Sequence, residues 1–203
     1  MDSINKLIEL FREFPGIGPR QAKRFVYFLL TKHAGYTQEM SRLIADIKDQ
    51  IHTCESCFRF FPKDHSPLCQ VCRDTSRDDT SLMIVSRDVD FENIERTRAF
   101  NGYYFILGGN LPVLEKNPET KIREKQLISL VEKKVAKGLT EIIIALDYNP
   151  EGEHTREHIE RVLHNNPLSS HIKITHLGRG LSTGSELEYT DADTIKNALK
   201  SRI

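Results

Sequence analysis

The 203-residue chain has no apolar run approaching the length of a membrane helix, which needs about 20 residues. It has no net charge either, with 29 Lys and Arg against 29 Asp and Glu, so it does not coat nucleic acid by bulk charge alone. No Gly-x4-Gly-Lys-Ser/Thr string occurs, which leaves a P-loop nucleotidase unsupported. The segment Arg179-Gly180-Leu181-Ser182-Thr183-Gly184-Ser185 lacks the lysine. Lipidation and targeting motifs are missing, and Met1-Asp2-Ser3-Ile4-Asn5-Lys6 carries charge where a signal peptide has an apolar run. The expected location is the cytoplasm. With 38% hydrophobic and 29% charged residues, the composition is that of an ordinary soluble protein of one large or two small domains.

Cysteine is scarce too, and its placement is the most informative feature. The four cysteines stand as Cys54-x-x-Cys57 and Cys69-x-x-Cys72. A Cys-x-x-Cys turn presents two thiolates to one ion, and two such knuckles complete a tetrahedral Zn²⁺ site with no open position. A disulfide pair needs an oxidising compartment, and four unrelated thiols is the other bland reading. His65 inside the loop and His52 just before it are alternative ligands, but four thiolates already fill a structural site for one Zn²⁺. With zinc on all four, no cysteine is left for nucleophilic catalysis. The eight histidines are scattered.

Hydrophobic periodicity predicts an amphipathic helix over residues 3–14 (Ile4, Leu7, Ile8, Phe11, Phe14). A second helix starts at Pro19 with Ala22, Phe25, Val26 and Leu29 on one face. A third runs from Thr37 to Ile51 with Met40, Ile44, Ile47 and Ile51 inward. The polar stretch Thr75–Ser81 reads as a linker. Beyond it, strand-like runs (Leu82–Val85, Tyr104–Leu107, Ile142–Leu146, Ile172–Leu177) alternate with helix-like ones (Asp90–Arg98, Ile122–Lys137, Thr155–His164), which argues for a parallel sheet with helices on its faces. A last helix is expected over Thr190–Lys200. The expected fold class is α/β with a helical N-terminal part, divided into residues 1–53, 54–77 (zinc finger and linker), 78–178 and 179–203.

The turn between the first two helices reads Phe14-Pro15-Gly16-Ile17-Gly18-Pro19-Arg20-Gln21-Ala22-Lys23-Arg24. Gly16 and Gly18 permit a sharp turn, and the amides at the second helix's N-terminus offer a phosphate site. Arg20 and Arg24, four apart, share a face and can clamp neighbouring phosphates; Lys23 is offset. The bland alternative is a plain αα-hairpin. The string is similar to the helix–hairpin–helix motif of many DNA-repair proteins, whose contacts are to the backbone and read no sequence. The front end is basic (Lys6, Arg12, Arg20, Lys23, Arg24 and Lys32 against Asp2, Glu9 and Glu13), and residues 147–160 and 186–193 are acidic.

After the Ile142–Leu146 run comes Asp147-Tyr148-Asn149-Pro150-Glu151-Gly152-Glu153, where open α/β sheets place ligand sites. It resembles the Asp-x-Asp-x-x-Gly-Glu element of the Toprim fold. In catalytic Toprim enzymes these acids, with a Glu after the first strand, hold Mg²⁺ beside a phosphodiester. Here Asn149 replaces the second Asp and Ser86 stands where the Glu belongs; Glu92 and Glu95 fall on the following helix. The cutting machinery is therefore incomplete, and a solvated acidic surface or a protein-binding surface is expected instead.

Helix–hairpin–helix, four-Cys zinc finger, Toprim-type parallel-sheet domain, then Leu177-Gly178-Arg179-Gly180 and Gly184–Asp191: this order resembles the RecR family of bacterial recombination mediators over nearly the whole chain. Asn101–Leu107 fits as well. Ser182–Tyr189 and the loop 108–118 depart from the family's usual pattern. The resemblance implies a non-enzymatic protein that binds DNA through Gly16, Gly18, Arg20, Lys23 and Arg24. It implies work with RecO, and in many bacteria RecF, to load RecA onto single-stranded DNA covered by SSB. It implies a homo-oligomer, a dimer or ring-like tetramer joined through the terminal regions, with Asp147, Glu151 and Glu153 left for RecO. A Mg²⁺-dependent Toprim nuclease or primase-like enzyme is the alternative, and a zinc-ribbon protein that never touches DNA a third.

Overall fold

A computed structural model describes residues 2–114, 120–169, 171–178, 180–181, 184 and 186–200. The end of the 108–118 loop, Arg179, and Ser182, Thr183 and Ser185 lie outside the described residues. The chain divides into two compact units, Met1–His52 and Thr53–Ile203.

The first unit is helical: α1 (Ser3–Arg12), α2 (Pro19–Leu30) and α3 (Ala34–Gln50). Each start has a local cause. Asp2 caps α1, its carboxylate accepting from the Asn5 amide at 2.8 Å, as an N-cap acid does. Gly18 and Pro19 open α2. His33 Nδ1 accepts the Tyr36 amide at the head of α3. The Phe11 and Phe25 rings meet edge-on at 5.7 Å and hold α1 against α2. Ala22 and Val26 are buried beneath them. The expectation that Ile44 and Ile47 point inward is overturned. They are 62% and 56% exposed, because no element of the unit covers that face of α3.

The second unit is built on a four-stranded parallel sheet, order β4-β3-β5-β6, from β3 (Asp78–Val85), β4 (Gly102–Ile106), β5 (Glu141–Ala145) and β6 (Lys173–His176). The stretch Asp78–Ser81 is not a linker but the first half of β3. Its polar character follows from exposure, and its amides and carbonyls are engaged: Asp78 donates to the Asn101 carbonyl, and the Thr80 carbonyl accepts the Thr140 amide. Side chains alternate across the sheet, the period-2 rule of extended chain. Leu82, Ile84, Tyr103, Phe105, Ile142 and Ile144 face a core shared with α6 (Glu124–Val135) and α7 (Pro150–Asn165). Met83, Val85, Tyr104 and Ile106 face the other way, toward Phe91 of α5 (Asp88–Thr97) and the cysteine knuckles. A short ribbon of β1 (Ile51–Thr53) and β2 (Phe60–Pro62) flanks the first knuckle, and α4 (Gln70–Arg73) follows Cys69. α8 (Ala192–Lys200) closes the chain. Among the described residues, no helix is long and apolar enough to cross a membrane.

Candidate functional site

The four cysteine sulfurs lie within 4.8 Å of one another, and none is in a disulfide. Cys57 Sγ and Cys69 Sγ are 3.7 Å apart. A tetrahedron with metal–sulfur bonds of about 2.3 Å has edges of about 3.8 Å, so the separation fits one ion among four thiolates. The knuckle backbone is shaped for this. Phe58 takes a left-handed φ of 64°, its amide donates to the Cys54 carbonyl, and the Cys69 amide donates to Cys54 Sγ at 3.4 Å. Hydrogen bonds from Cys57, Cys69 and Cys72 hold the Cys54 thiol far below its ordinary value. The same contacts, led by Cys54, push Cys57 up. One thiol of such a cluster ionises first and its neighbours donate to it. A divalent ion removes that conflict by taking all four as thiolates. His65 and His52 are not part of the cluster.

The knuckles are not a free-standing finger. Cys54, Cys57 and Cys69 are buried in the same core as Met83, Val85, Tyr104 and Ile106. The Ile106 amide of the edge strand β4 donates to the Cys57 carbonyl at 2.9 Å. Arg123 ties the join: its Nη1 donates to the Phe58 and Ile106 carbonyls, each at 3.0 Å. The Phe58 ring packs edge-on against Phe105 at 5.5 Å.

At the hairpin, Gly16 has φ +76°, a conformation costly for any residue with a Cβ. Gly18 differs. Its φ of −82° suits any residue, and a Cβ there would meet nothing within 4 Å. The fold needs glycine at 16 but not at 18, so bare backbone at 18 is a feature of the surface rather than of the fold. Gly16→Ala is expected to cost about 1 kcal/mol of stability. Gly18→Ser should keep the melting temperature, since serine caps helices well, while weakening any ligand that approaches the backbone; a thermal melt paired with a binding titration separates the two. Downstream, Arg20, Lys23 and Arg24 make no ion pair among the described residues. Arg24 Nη1 donates to Gln21 at 3.2 Å, and Lys23 lies 5.9 Å from the Tyr27 ring centre. The first turn of α2 holds no acid and carries Arg20, where a cation is unfavourable; Lys23 and Arg24 follow in the second turn.

At the carboxyl end of the sheet, Ser86 is buried and donates to Asn110 Oδ1 at 2.9 Å. Asn110 Nδ2 in turn donates to Asp147 Oδ2 at 3.2 Å. A neutral hydroxyl–amide chain therefore lies beside Asp147. Asn149 caps α7, accepting the Gly152 amide at 2.8 Å. That starts α7 at Pro150, five residues before the Thr155 start expected from periodicity, and puts Glu151 and Glu153 in its first turn. Glu151 is exposed, and Glu153 is bridged by Arg156 at 2.6 Å. Burial, and then the charge of Asp147, raise the pKa of Asp90. Among the described residues, the four cysteines are the one group of three or more His, Cys, Asp or Glu close enough to share an ion.

Comparison with known proteins supplies the family. Models of the RecR helix-hairpin-helix, the Toprim domain and the RecR C-terminal region match residues 4–48, 80–177 and 180–203. The Recombination protein RecR of Chloroflexus aggregans is 36% identical over 98% of this chain and 92% of its own length. The chain belongs to the RecR family. RecR proteins of Prochlorococcus marinus strain AS9601 and Thermobifida fusca are 34% and 32% identical, each over 98% of this chain and over 94% and 96% of their own lengths. The RecR assignment and the α/β fold with its helical front thus agree with the reading from motif order.

Some residues that shape this RecR chain had no motif to reveal them. Arg123, Asn110 and Arg77 act through backbone carbonyls and side chains distant in sequence; Arg77, for example, pairs with Glu95 and donates to the Gly102 carbonyl at 3.1 Å. Gly152 carries a stronger requirement than its place in the Glu-Gly-Glu string implied. A Cβ there would overlap the Asp147 carbonyl oxygen. Gly152→Ala is expected to lose about 3 kcal/mol by overpacking, read as a shifted denaturant midpoint, and to displace the loop that carries Asp147.

Proposed function

We propose that this protein is a DNA-binding recombination mediator without catalytic activity, acting with RecO, and RecF where present, to load RecA onto single-stranded DNA covered by SSB. The observation that carries the reading is the cation set at the head of α2. Arg20, Lys23 and Arg24 flank a glycine, Gly18, that the fold itself does not require. A polyanion repays the cost of placing cations at a helix N-terminus, and helix amides add donors for phosphate oxygens. Gly16 sets the turn, Gly18 admits the backbone, Arg20 and Arg24 hold phosphates, and Lys23 assists. The contacts are sequence-independent.

Cys54, Cys57, Cys69 and Cys72 hold one structural Zn²⁺, which supplies cross-linking rather than chemistry. Asp147, Glu151 and Glu153 form a surface for RecO, not a Mg²⁺ site, because Ser86 and Asn149 stand where two further acids would be needed. Self-association fits an apolar groove of about 390 Å³ within the first unit, lined by Ile4, Leu7, Phe11, Leu29 and Met40 among others, together with the exposed Ile44 and Ile47. We place the functional divisions at residues 1–53, 54–77, 78–178 and 179–203, the last serving subunit packing. The site of action is the cytoplasm.

Incubation of the purified protein with single-stranded DNA and Mg²⁺ or Mn²⁺ tests the reading. Salt-sensitive binding with intact DNA is expected. Metal-dependent strand cleavage would overturn it in favour of a Toprim nuclease.

A further inference from the structure

The second unit carries a cationic surface that neither the hairpin nor the acidic end of the sheet accounts for. It lies beside the first cysteine knuckle, a shallow depression of about 480 Å³ lined by Arg59, Phe91, Glu92, Glu95, Arg96 and Arg98. Three guanidiniums from two elements meet here. Arg59, next to β2, stacks its guanidinium 4.3 Å from the centre of the Phe91 ring. Its Nε is buried and has no hydrogen-bond partner among the described residues. Arg96 is in the last turn of α5, where Nη2 donates to Asn93 Oδ1 at 3.1 Å. Arg98 follows as the C-cap, in left-handed conformation with φ 56°.

The acids on this surface do not neutralise it. Glu95 is already committed to Arg77, which is largely buried beside it. That leaves Glu92 against three guanidiniums, none of which makes an ion pair among the described residues. Arginines at the end of a helix are favoured by its dipole, and that accounts for Arg96 alone. It does not explain why a left-handed C-cap, where glycine or asparagine is the usual choice, is an arginine, nor why Arg59 converges from another element. A planar guanidinium fork matches a phosphate oxygen pair, and three of them on one shallow, open surface fit an extended polyanion better than a small enclosed ligand.

We infer that Arg59, Arg96 and Arg98 form a second contact for the DNA phosphodiester backbone, on the zinc-bearing unit and separate from the α2 hairpin. The inference rests on the DNA-binding reading above and extends it to both units. Each phosphate contact releases counterions and steepens the salt dependence of binding, by about 0.7 in log–log slope on single strands.

The test is fluorescence anisotropy of labelled oligothymidylate with the full-length protein across a salt series. The first variant is Arg96→Gln/Arg98→Asn, which removes two exposed charges and eases the left-handed position. The second adds Arg59→Gln. Melting temperature is measured for both. The double variant should melt like wild type and lose about 1.4 from the slope, and the triple about 2. The loss should add to that of Arg20→Ala/Arg24→Ala. An unchanged slope in the folded double variant overturns the inference and leaves the hairpin reading intact. So does an unchanged slope accompanied by lost binding to RecO, which would make this face a protein-docking surface. If wild type binds no DNA in any salt, with or without RecO, the underlying reading fails and this one with it.

Discussion

Replacing Cys57 by serine is expected to cost the protein its second unit as a soluble fold. Cys57 is buried, its carbonyl anchors the Ile106 amide of edge strand β4, and its side chain shares a core with Met83, Val85 and Tyr104. If the four thiolates hold Zn²⁺, the ion contributes on the order of 10 kcal/mol, comparable with the whole stability of a domain of this size. Removing one ligand, or the ion by chelation, therefore loosens one face of the sheet and not merely a surface loop. Most of the protein should become insoluble, and any soluble fraction should melt at least about 10 °C lower. Cys54→Ser and Cys69→Ser should behave alike. Cys72, only half-buried, should be the mildest. Metal content by atomic absorption, set beside the melt, checks the cause: one zinc per wild-type chain and less than one per variant. A soluble, metal-free variant with the wild-type melting temperature would contradict both the metal and its structural role.

Arg20→Ala/Arg24→Ala should do the opposite, leaving the fold alone and removing binding. Both side chains are exposed and in no ion pair among the described residues, with Arg20 in the first turn of α2 and Arg24 in the second. Their loss should leave the melting temperature unchanged or raise it slightly, since one unfavourable helix-dipole interaction of about 0.3–1 kcal/mol, that of Arg20, is relieved. Affinity for single-stranded DNA should fall about a hundredfold at moderate salt, from two charge-assisted contacts worth about 1.5 kcal/mol each. The log–log salt slope should fall by about 1.4. Lys23→Ala should cost less, because Lys23 is offset from the Arg20–Arg24 face and lies near the Tyr27 ring. Lost binding with a lowered melting temperature would indicate a structural hairpin. Unchanged affinity and slope would place DNA elsewhere.

The cysteine cluster and the hairpin turn were legible because each depends on local spacing. A Cys-x-x-Cys pair and a Gly-x-Gly-Pro turn write their geometry within a few residues, and the amphipathic periods of α1, α2 and α6 did the same. What escaped reading depends on neighbours far along the chain. Asp78–Ser81 is polar because its half of β3 is exposed, yet it pairs like the rest, so composition imitated a linker. α7 begins at Pro150 because Asn149 caps it, whereas the apolar period starts only at Thr155. Ile44 and Ile47 have the spacing of a core face, but the period of a helix does not say whether a partner of the same unit covers it. Ser86 and Asn149 were read from sequence as following the first strand and the Ile142–Leu146 run, and they do follow β3 and β5. What the two residues do, an Asn110-bridged chain to Asp147 and an N-cap, emerged only in three dimensions. Arg123 has no motif, since both of its acceptors are backbone carbonyls.

The most direct test of the mediator account is RecA filament assembly on single-stranded DNA saturated with SSB, followed by RecA ATP hydrolysis. The account predicts a long lag with RecO alone or this protein alone, and a shortened lag with both. The Arg20→Ala/Arg24→Ala protein should lose that effect while remaining folded. No shortening with wild-type protein and RecO together, or degradation of the DNA during the assay, would contradict it.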